Sequence, residues 1–519
     1  MLGAVGRLAT GGVVTEKVER IWTRPSLLLA FASFVLHALA NGHYGIFRDE
    51  LYFIVCGDRP DWGYVDQPAV VPLLASWFHA IFGDFLWGFR LLPALVMTAT
   101  VALTSEFARV AGGGRFAQWL AGSCILLGPI FLVQGVLFST DMFQALTWLG
   151  LGWVLVRLEQ TGDERWWLAF GAIAGFSLNT KYLIAFYLVA LAVGLLATPQ
   201  RRSLLRPWVY LGALLAGVMV VPNLLWQQAH GWPFIELGKA GTSGKNIEMS
   251  PLAFFLQQVI FTGPLATIVW LCGLWAGVFR PKLVVSRTFA IAWLILLLAF
   301  DASHGKAYYL SAIYPTLLVF GAVRIEEWLG NAIARGAALA GVVVLGVLAA
   351  PLTLPILSID VFMRYQKAIG FTPSAGEHQT LGVLPQLYAD MFGWREMAEK
   401  VAAVYWSLPV QDRAHAVFFA NNYGEAAAID VFGRRLGLPP AISGHNNYYI
   451  WGPRGHDGSV IIIVGGSTKH YADFFSSFEI AGRIATPYAM PYETDKPIYV
   501  LRGMKMPLQD YWSKVKTYQ

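Results

Sequence analysis

The sequence predicts an α-helical polytopic membrane protein of about eleven spans, followed by a C-terminal extracytoplasmic α/β domain. Three observations carry this reading. Of 519 residues, 56% are hydrophobic and 13% charged, the latter about half of the ~25% usual in soluble domains. Apolar runs of the ~20 residues that a hydrocarbon core requires recur through the first 358 positions. Beyond residue 359 the apolar runs shorten to strand length. Disorder is excluded, because it needs the opposite balance of hydrophobicity and charge. Basic residues punctuate apolar segments instead of clustering on one polar face, so the net charge of +6 does not point to nucleic acid. Cys56, Cys124 and Cys272 are widely spaced and form no metal or disulfide framework.

Taken in order, the spans fall at about 26–42, 85–108, 116–137, 141–157, 166–179, 182–198, 208–228, 251–279, 288–303, 309–324 and 336–358. One alternating set of short loops carries Arg109/Arg115, Arg157/Arg165, Arg201/Arg202/Arg206, Arg280/Lys282/Arg287 and Arg324/Arg335, and the N-terminal segment adds Arg7, Lys17, Arg20 and Arg24. Positive residues stay cytoplasmic. The N-terminus is therefore expected inside and the tail outside. Residues 166–198 have basic flanks at both ends, which favours two short spans meeting outside at Asn179-Thr180-Lys181-Tyr182 over one long helix. The first apolar run starts late and lacks a small-residue cleavage site, so a cleavable leader is not expected.

The first external loop, about 43–84, is polar and aromatic to Gln67 and then amphipathic (Val70, Val71, Leu73, Leu74, Trp77, Phe78). Its second half reads as a helix lying on the membrane surface. The domains are thus expected at 1–358 and 359–519. In the tail, Ala416–Ala420, Val460–Val464 and Ile498–Leu501 read as strands, and Trp394–Tyr405 and Asn422–Phe432 as helices, which is an α/β alternation.

The candidate chemistry lies at external span ends. Arg48-Asp49-Glu50 follows the first span, and adjacent carboxylates at a membrane boundary need solvation or pairing. Asp58, Asp61 and Asp66 follow, with Trp62, Tyr64 and Gln67-Pro68. Carboxylates accept hydroxyl hydrogens and aromatic faces cover apolar ring faces, a combination suited to sugars. Ser139-Thr140-Asp141 marks another external turn, where helix capping predicts the same residues. Lys181, His304 and Lys306 share that face with Arg48. A lone lysine near an interface can simply snorkel, but cations facing carboxylates at one level suit a phosphate-bearing lipid. In the tail, Asn422, Tyr423, Glu425 and His445 are polar or aromatic and could line the acceptor side, although turn chemistry explains such residues equally well. A divalent metal could be held through Asp66, Asp141 or His304, and such oxygen-rich sites are weakly encoded.

The run FRDELYFIVCGDRPDWGYVDQPAVVPLLASWFHAIFGDFLWGFRLL (47–92) resembles the first external loop of bacterial GT-C glycosyltransferases of the protein O-mannosyltransferase and aminoarabinose-transferase group, glycosyltransferase family 39 and its relatives. STDMF, LNTKYL and HGKAYYLSAIYP resemble that group's later motifs, and NNYGEAAAIDVFGRRLGLPPAISGHNNYYIWGP the outer domain of a bacterial subgroup. The resemblance implies an inverting enzyme of the bacterial inner membrane. It would move a sugar from a polyprenyl-phosphate carrier to an envelope lipid, glycan or protein on the outer face. It implies Asp49 as general base with Glu50 beside it, and Asp141 at the second acidic position. Gln67 and Tyr52 stand where the aminoarabinose branch has Lys and Arg, so cationic duties pass to Arg48, Lys181 and Lys306.

The chemistry agrees. A phosphodiester-linked sugar has a good anionic leaving group, so one base and positive charge on the phosphate suffice. A secondary transporter is the alternative, but transporters place charges near the midplane and show repeats. A non-catalytic scaffold would need no acid at the end of the first span.

Overall fold

The computed structural model describes residues 22–241, 247–372 and 380–518. Arg7, Lys17 and Arg20 lie outside the described residues. Each of the eleven expected segments falls on helix. Among the described residues, five helices are long and apolar enough to cross a membrane: Leu91–Val110, Pro207–Ala229, Val285–Ala302, Ala307–Trp328 and Ala332–Leu352. The number reaches eight if each of three bent pairs is one span.

The bends differ from the straight spans expected. Arg115–Leu127 and Pro129–Val136 meet at 62°, and Pro251–Thr262 and Pro264–Phe279 at 111°. Both breaks are Gly-Pro: the proline lacks the N–H that would continue the ladder and is favoured at the first helical position. Gly263, at φ 92°, takes a backbone conformation that side chains avoid. The last apolar helix ends at Ala349 and not near 358, passing into a short turn, Ala350–Leu352. Trp166–Leu178 and Ile184–Leu196 meet at the Asn179–Leu183 turn, so residues 166–198 are two helices. The amphipathic half of the first loop is the helix Val70–Phe82, burying Val71 and Ala75 while Trp77 and Ile81 stay exposed.

Small residues let the helices approach. A Cβ on Gly273 or Gly321 would run into the backbone of the facing helix, as expected where packing, not hydrophobicity, drives association in lipid. At the basic-loop end, Glu326 caps the next helix by accepting from Gly114 N and, at 3.0 Å, from Phe116 N. Glu159 likewise accepts from Val284 N and Val285 N at 2.7 and 2.8 Å. Carboxylates at helix N-termini complement the dipole.

The C-terminal region carries a five-stranded sheet of order β2-β1-β3-β5-β4, with β1 Ala416–Ala420, β2 Ile442–Ser443, β3 Val460–Val464, β4 Phe475–Ile484 and β5 Lys496–Met504. Strands β1, β2 and β3 are parallel, whereas β5 runs antiparallel to β3 and β4 to β5. Three of these strands contain the expected runs. The sheet packs two cores: one face joins Val417, Ile442, Ile461, Ile463, Tyr499 and Trp512 within the C-terminal region, while on the other Leu51, Ile54, Val71 and Phe138 share one apolar cluster with Met397, Phe418, Ile462 and Val500.

Replacing Gly321 with Leu should lower the thermal midpoint and the monodisperse yield in detergent, because a side chain there meets main chain that cannot yield. Size-exclusion chromatography and a melting curve measure both.

Candidate active site

The helix Arg48–Gly57 opens the first loop and turns its two acids in opposite directions. Glu50 points inward and is fully buried. Its Oε1 accepts from Arg90 Nε at 2.9 Å and Phe138 N at 2.9 Å, and its Oε2 from Arg90 Nη2 at 2.7 Å and Phe47 N at 2.8 Å. Arg90, also fully buried, donates in addition to Gly45 O at 2.9 Å. Glu50 is thus a joint between three segments. Arg90 was not singled out in the sequence, though a lone cation opening an apolar run was visible there.

Asp49 points the other way, its side chain about one-third exposed (36%). Its Oδ1 accepts from the Tyr423 hydroxyl at 2.7 Å, with Arg48 Nε at 3.5 Å. Among the described residues no donor reaches Oδ2. The ring of Tyr423 lies 4.7 Å from that of Tyr52, whose hydroxyl donates to Asp66 Oδ1 at 3.1 Å. A tyrosine pair therefore bridges two carboxylates. Arg48 is enclosed by the C-terminal region: Nη1 donates to the Tyr492 hydroxyl at 2.9 Å, and the guanidinium sits 5.2 Å over the Tyr423 ring.

A second cluster joins the later motifs. Lys181 Nζ meets Asp141 Oδ1 at 2.6 Å, and both side chains stay partly exposed. The same ammonium lies 5.1 and 5.6 Å from the rings of Tyr309 and Tyr308, which ties the turn bearing His304 and Lys306 to Lys181. His304 adopts φ 52°, rare for a non-glycine. Phe138, three residues before Asp141, binds Glu50, so the two clusters share one frame.

The loop is seated by polar groups on Pro207–Ala229 that the sequence reading passed over. Asn223 Nδ2 donates to Trp62 O at 2.9 Å and Gln227 Nε2 to Tyr64 O at 3.1 Å, with the Tyr182 hydroxyl between them. Their i, i+4 spacing on an apolar helix was the available signal.

Several sugar-contact expectations are corrected. Trp62 is exposed (65%), as such contact requires. Tyr64 is buried, with its hydroxyl donating to Cys56 O at 2.7 Å, so its ring meets no sugar. Gln67 is also buried and touches no open surface. Glu425 is buried too, accepting from Asn421 N at 2.7 Å. Asn422 caps the helix Tyr423–Phe432, accepting from Glu425 N at 3.0 Å and donating to Glu493 Oε1 at 2.8 Å. His445 Nδ1 accepts from Tyr423 N at 3.3 Å. Glu425, Asn422 and His445 serve the fold by satisfying backbone N–H groups that would otherwise be buried without partners. Among the described residues, no group of three or more His, Cys, Asp or Glu side chains could hold a metal. Asp66, Asp141 and His304 are not gathered into such a group.

The profile of the family described as dolichyl-phosphate-mannose-protein mannosyltransferase matches residues 66–226. A structure of ArnT from Cupriavidus metallidurans bound to undecaprenyl phosphate superposes with a TM-score of 0.61 at 15% identity, covering 92% of this chain and 97% of that one. The chain resembles the GT-C glycosyltransferases related to family 39. Over 277 residues, 50% of this chain and 56% of the relative, it is 27% identical to the lipid A galacturonosyltransferase RgtD of Rhizobium johnstonii. It is 25% identical, over 63% of this chain and 62% of the relative, to an undecaprenyl phosphate-alpha-4-amino-4-deoxy-L-arabinose arabinosyl transferase of Pseudomonas fluorescens. The chain thus spans about three-fifths of the length of these curated relatives. The GT-C-like frame places the quoted motifs side by side, and it brings in Tyr423 from the C-terminal sheet.

Two outcomes follow. Arg90→Met leaves Glu50 buried and charged without its partner, and should cost about 3–5 kcal/mol of stability, read by thermal or denaturant unfolding. Burial pushes the Glu425 carboxyl up to about 7, and burial with Glu425 beside it pushes Glu493 well above the glutamate range. A folded value above the unfolded 4.5 gives stability that is complete below 4.5 and lost as pH rises through about 7. The melting midpoint should fall across that window, and Glu425→Gln should flatten the fall.

Proposed function

We propose that the protein is an inverting glycosyltransferase that moves a sugar from a polyprenyl-phosphate carrier to an envelope acceptor at the outer face of the bacterial inner membrane. In this reading about eleven spans fill residues 1–358, the N-terminus is cytoplasmic, and 359–519 form the outer domain. The alternation of basic loops supports that orientation.

The observation that carries the function is the state of Asp49. It is a carboxylate with one oxygen fixed by a tyrosine and the other undonated, partly exposed where loop and outer domain meet. A hydroxyl of the acceptor attacks the anomeric carbon of the sugar. Its proton passes to Asp49 as the bond to the phosphate oxygen breaks, and the electron pair leaves with the polyprenyl phosphate. No general acid is needed for so good a leaving group. Lys181 supplies positive charge toward the departing phosphate, oriented by Asp141, with His304 and Lys306 on the adjoining turn. Arg48 and Glu50 serve by holding the helix that presents Asp49. Trp62 is the exposed aromatic face for a sugar ring. The names of the relatives make undecaprenyl phosphate the carrier to test, and a lipid the acceptor class to test.

In proteoliposomes with labelled undecaprenyl-phosphate sugars and envelope lipid extract, Asp49→Asn should cut turnover by about 10²–10⁴-fold while carrier binding persists. Lys181→Met should weaken carrier binding as well as turnover. An Asn variant as fast as the parent would remove Asp49 from the mechanism.

A further inference from the structure

Tyr423 is the first residue of its helix, 374 positions from the carboxylate it touches. Its side chain is fixed from every side. Asn422 caps the helix and ties it to Glu493. The backbone N–H of Tyr423 donates to His445, and the ring packs against Tyr52 at 4.7 Å, His445 at 4.9 Å and the Arg48 guanidinium at 5.2 Å. With a residue exposure of only 7%, the ring offers no face to a ligand. What it offers is a hydroxyl donating to Asp49 Oδ1 at 2.7 Å. A carboxylate on a short side chain can rotate about its last bond, and a donor on one oxygen sets the plane of both.

We propose that Tyr423 is a positioning residue for Asp49, supplied by the C-terminal sheet, so that the centre on the first loop is complete only when that sheet is seated. The hydroxyl fixes Oδ1 and leaves Oδ2 aimed outward for the acceptor proton. Tyr52 does the same for Asp66 but does not touch Asp49, which makes it the internal control. The inference rests on Asp49 being the base.

The test is Tyr423→Phe in the full-length reconstituted protein, which keeps the ring and its packing and removes the hydroxyl alone. The first readout needs no substrate: with isotope-labelled aspartate, the infrared carboxylate band of Asp49 is isolated as the difference between parent and Asp49→Asn. That band should shift in Tyr423→Phe and stay in place in Tyr52→Phe. In the transfer assay kcat should fall about ten- to a hundredfold, as expected for losing a hydrogen bond to a charged group, with the donor KM within about twofold and the melting midpoint retained. An unmoved Asp49 band, or a parent-like kcat, overturns the proposal. So does a loss in which kcat and the melting midpoint fall while KM rises, since that marks a purely structural residue. If the Phe variant does not fold, a ring-fluorinated tyrosine at position 423 keeps the shape and strengthens the donor, and the Asp49 band should then shift the opposite way. The two readings separate cleanly: an active Asp49→Asn defeats the base assignment, whereas a dead Asp49→Asn beside an unaltered Tyr423→Phe defeats the positioning role alone.

Discussion

The buried pair of Glu50 and Arg90 is the constraint on which the site depends. A carboxylate and a guanidinium removed from water are costly unless their hydrogen-bonding capacity is met. Here Glu50 accepts four hydrogen bonds from three segments of chain, and Arg90 reaches back to Gly45, with only its Nη1 left without a partner among the described residues. The geometry that satisfies Glu50 fixes the rotation of the helix Arg48–Gly57. Successive residues on a helix point about 100° apart, so an inward Glu50 sends Asp49 toward the C-terminal sheet. Two adjacent acids thus acquire different environments from one helix.

The C-terminal sheet meets this helix in an informative way. In parallel α/β sheets, ligands settle beyond the carboxyl ends of the strands. Beyond β1 come Asn421 to Tyr423 and beyond β2 comes His445, and both contact the first loop or the residues that do. Asn447 extends this surface: its backbone N–H donates to the Tyr52 hydroxyl at 3.2 Å and its side chain accepts from Val65 N at 2.7 Å. The crevice of the sheet is filled by the first loop itself. The shared apolar cluster has the same cause: the loop helix buries its apolar face against the helix Tyr423–Phe432, which covers the sheet.

Much of this was legible in the sequence. Helix positions follow from apolar run length, and β1 and β3 from short apolar runs between polar ones. The Gly128-Pro129 and Gly263-Pro264 breaks were written in the chain, yet a hydropathy window reads through them because both residues are apolar enough not to interrupt it. Strand β4 escaped notice because it is an edge strand whose residues from Ser476 to Gly482 are largely exposed, leaving no apolar run. Asp49, Asp141 and Lys181 stand out in the sequence because charge at the end of an apolar run needs a reason, and the structure gives each a polar partner. Tyr64, Gln67 and Glu425 were misread because composition cannot tell an aromatic or polar residue facing a cleft from one satisfied inside. Tyr52, treated only as a departure from a relative's arginine, lies at the middle of the carboxylate bridge.

The 374 residues between Asp49 and Tyr423 also set a clock. Ribosomes add about 5–20 residues per second, so roughly 20–75 s separate the synthesis of Asp49 from that of the hydroxyl that donates to it. Throughout that interval the loop stands beside an unfinished sheet, its apolar face lacking the partners with which it forms a core. A ribosome that stalls before position 423 leaves behind a chain with Asp49 in place and without the hydroxyl that hydrogen-bonds it in the finished protein.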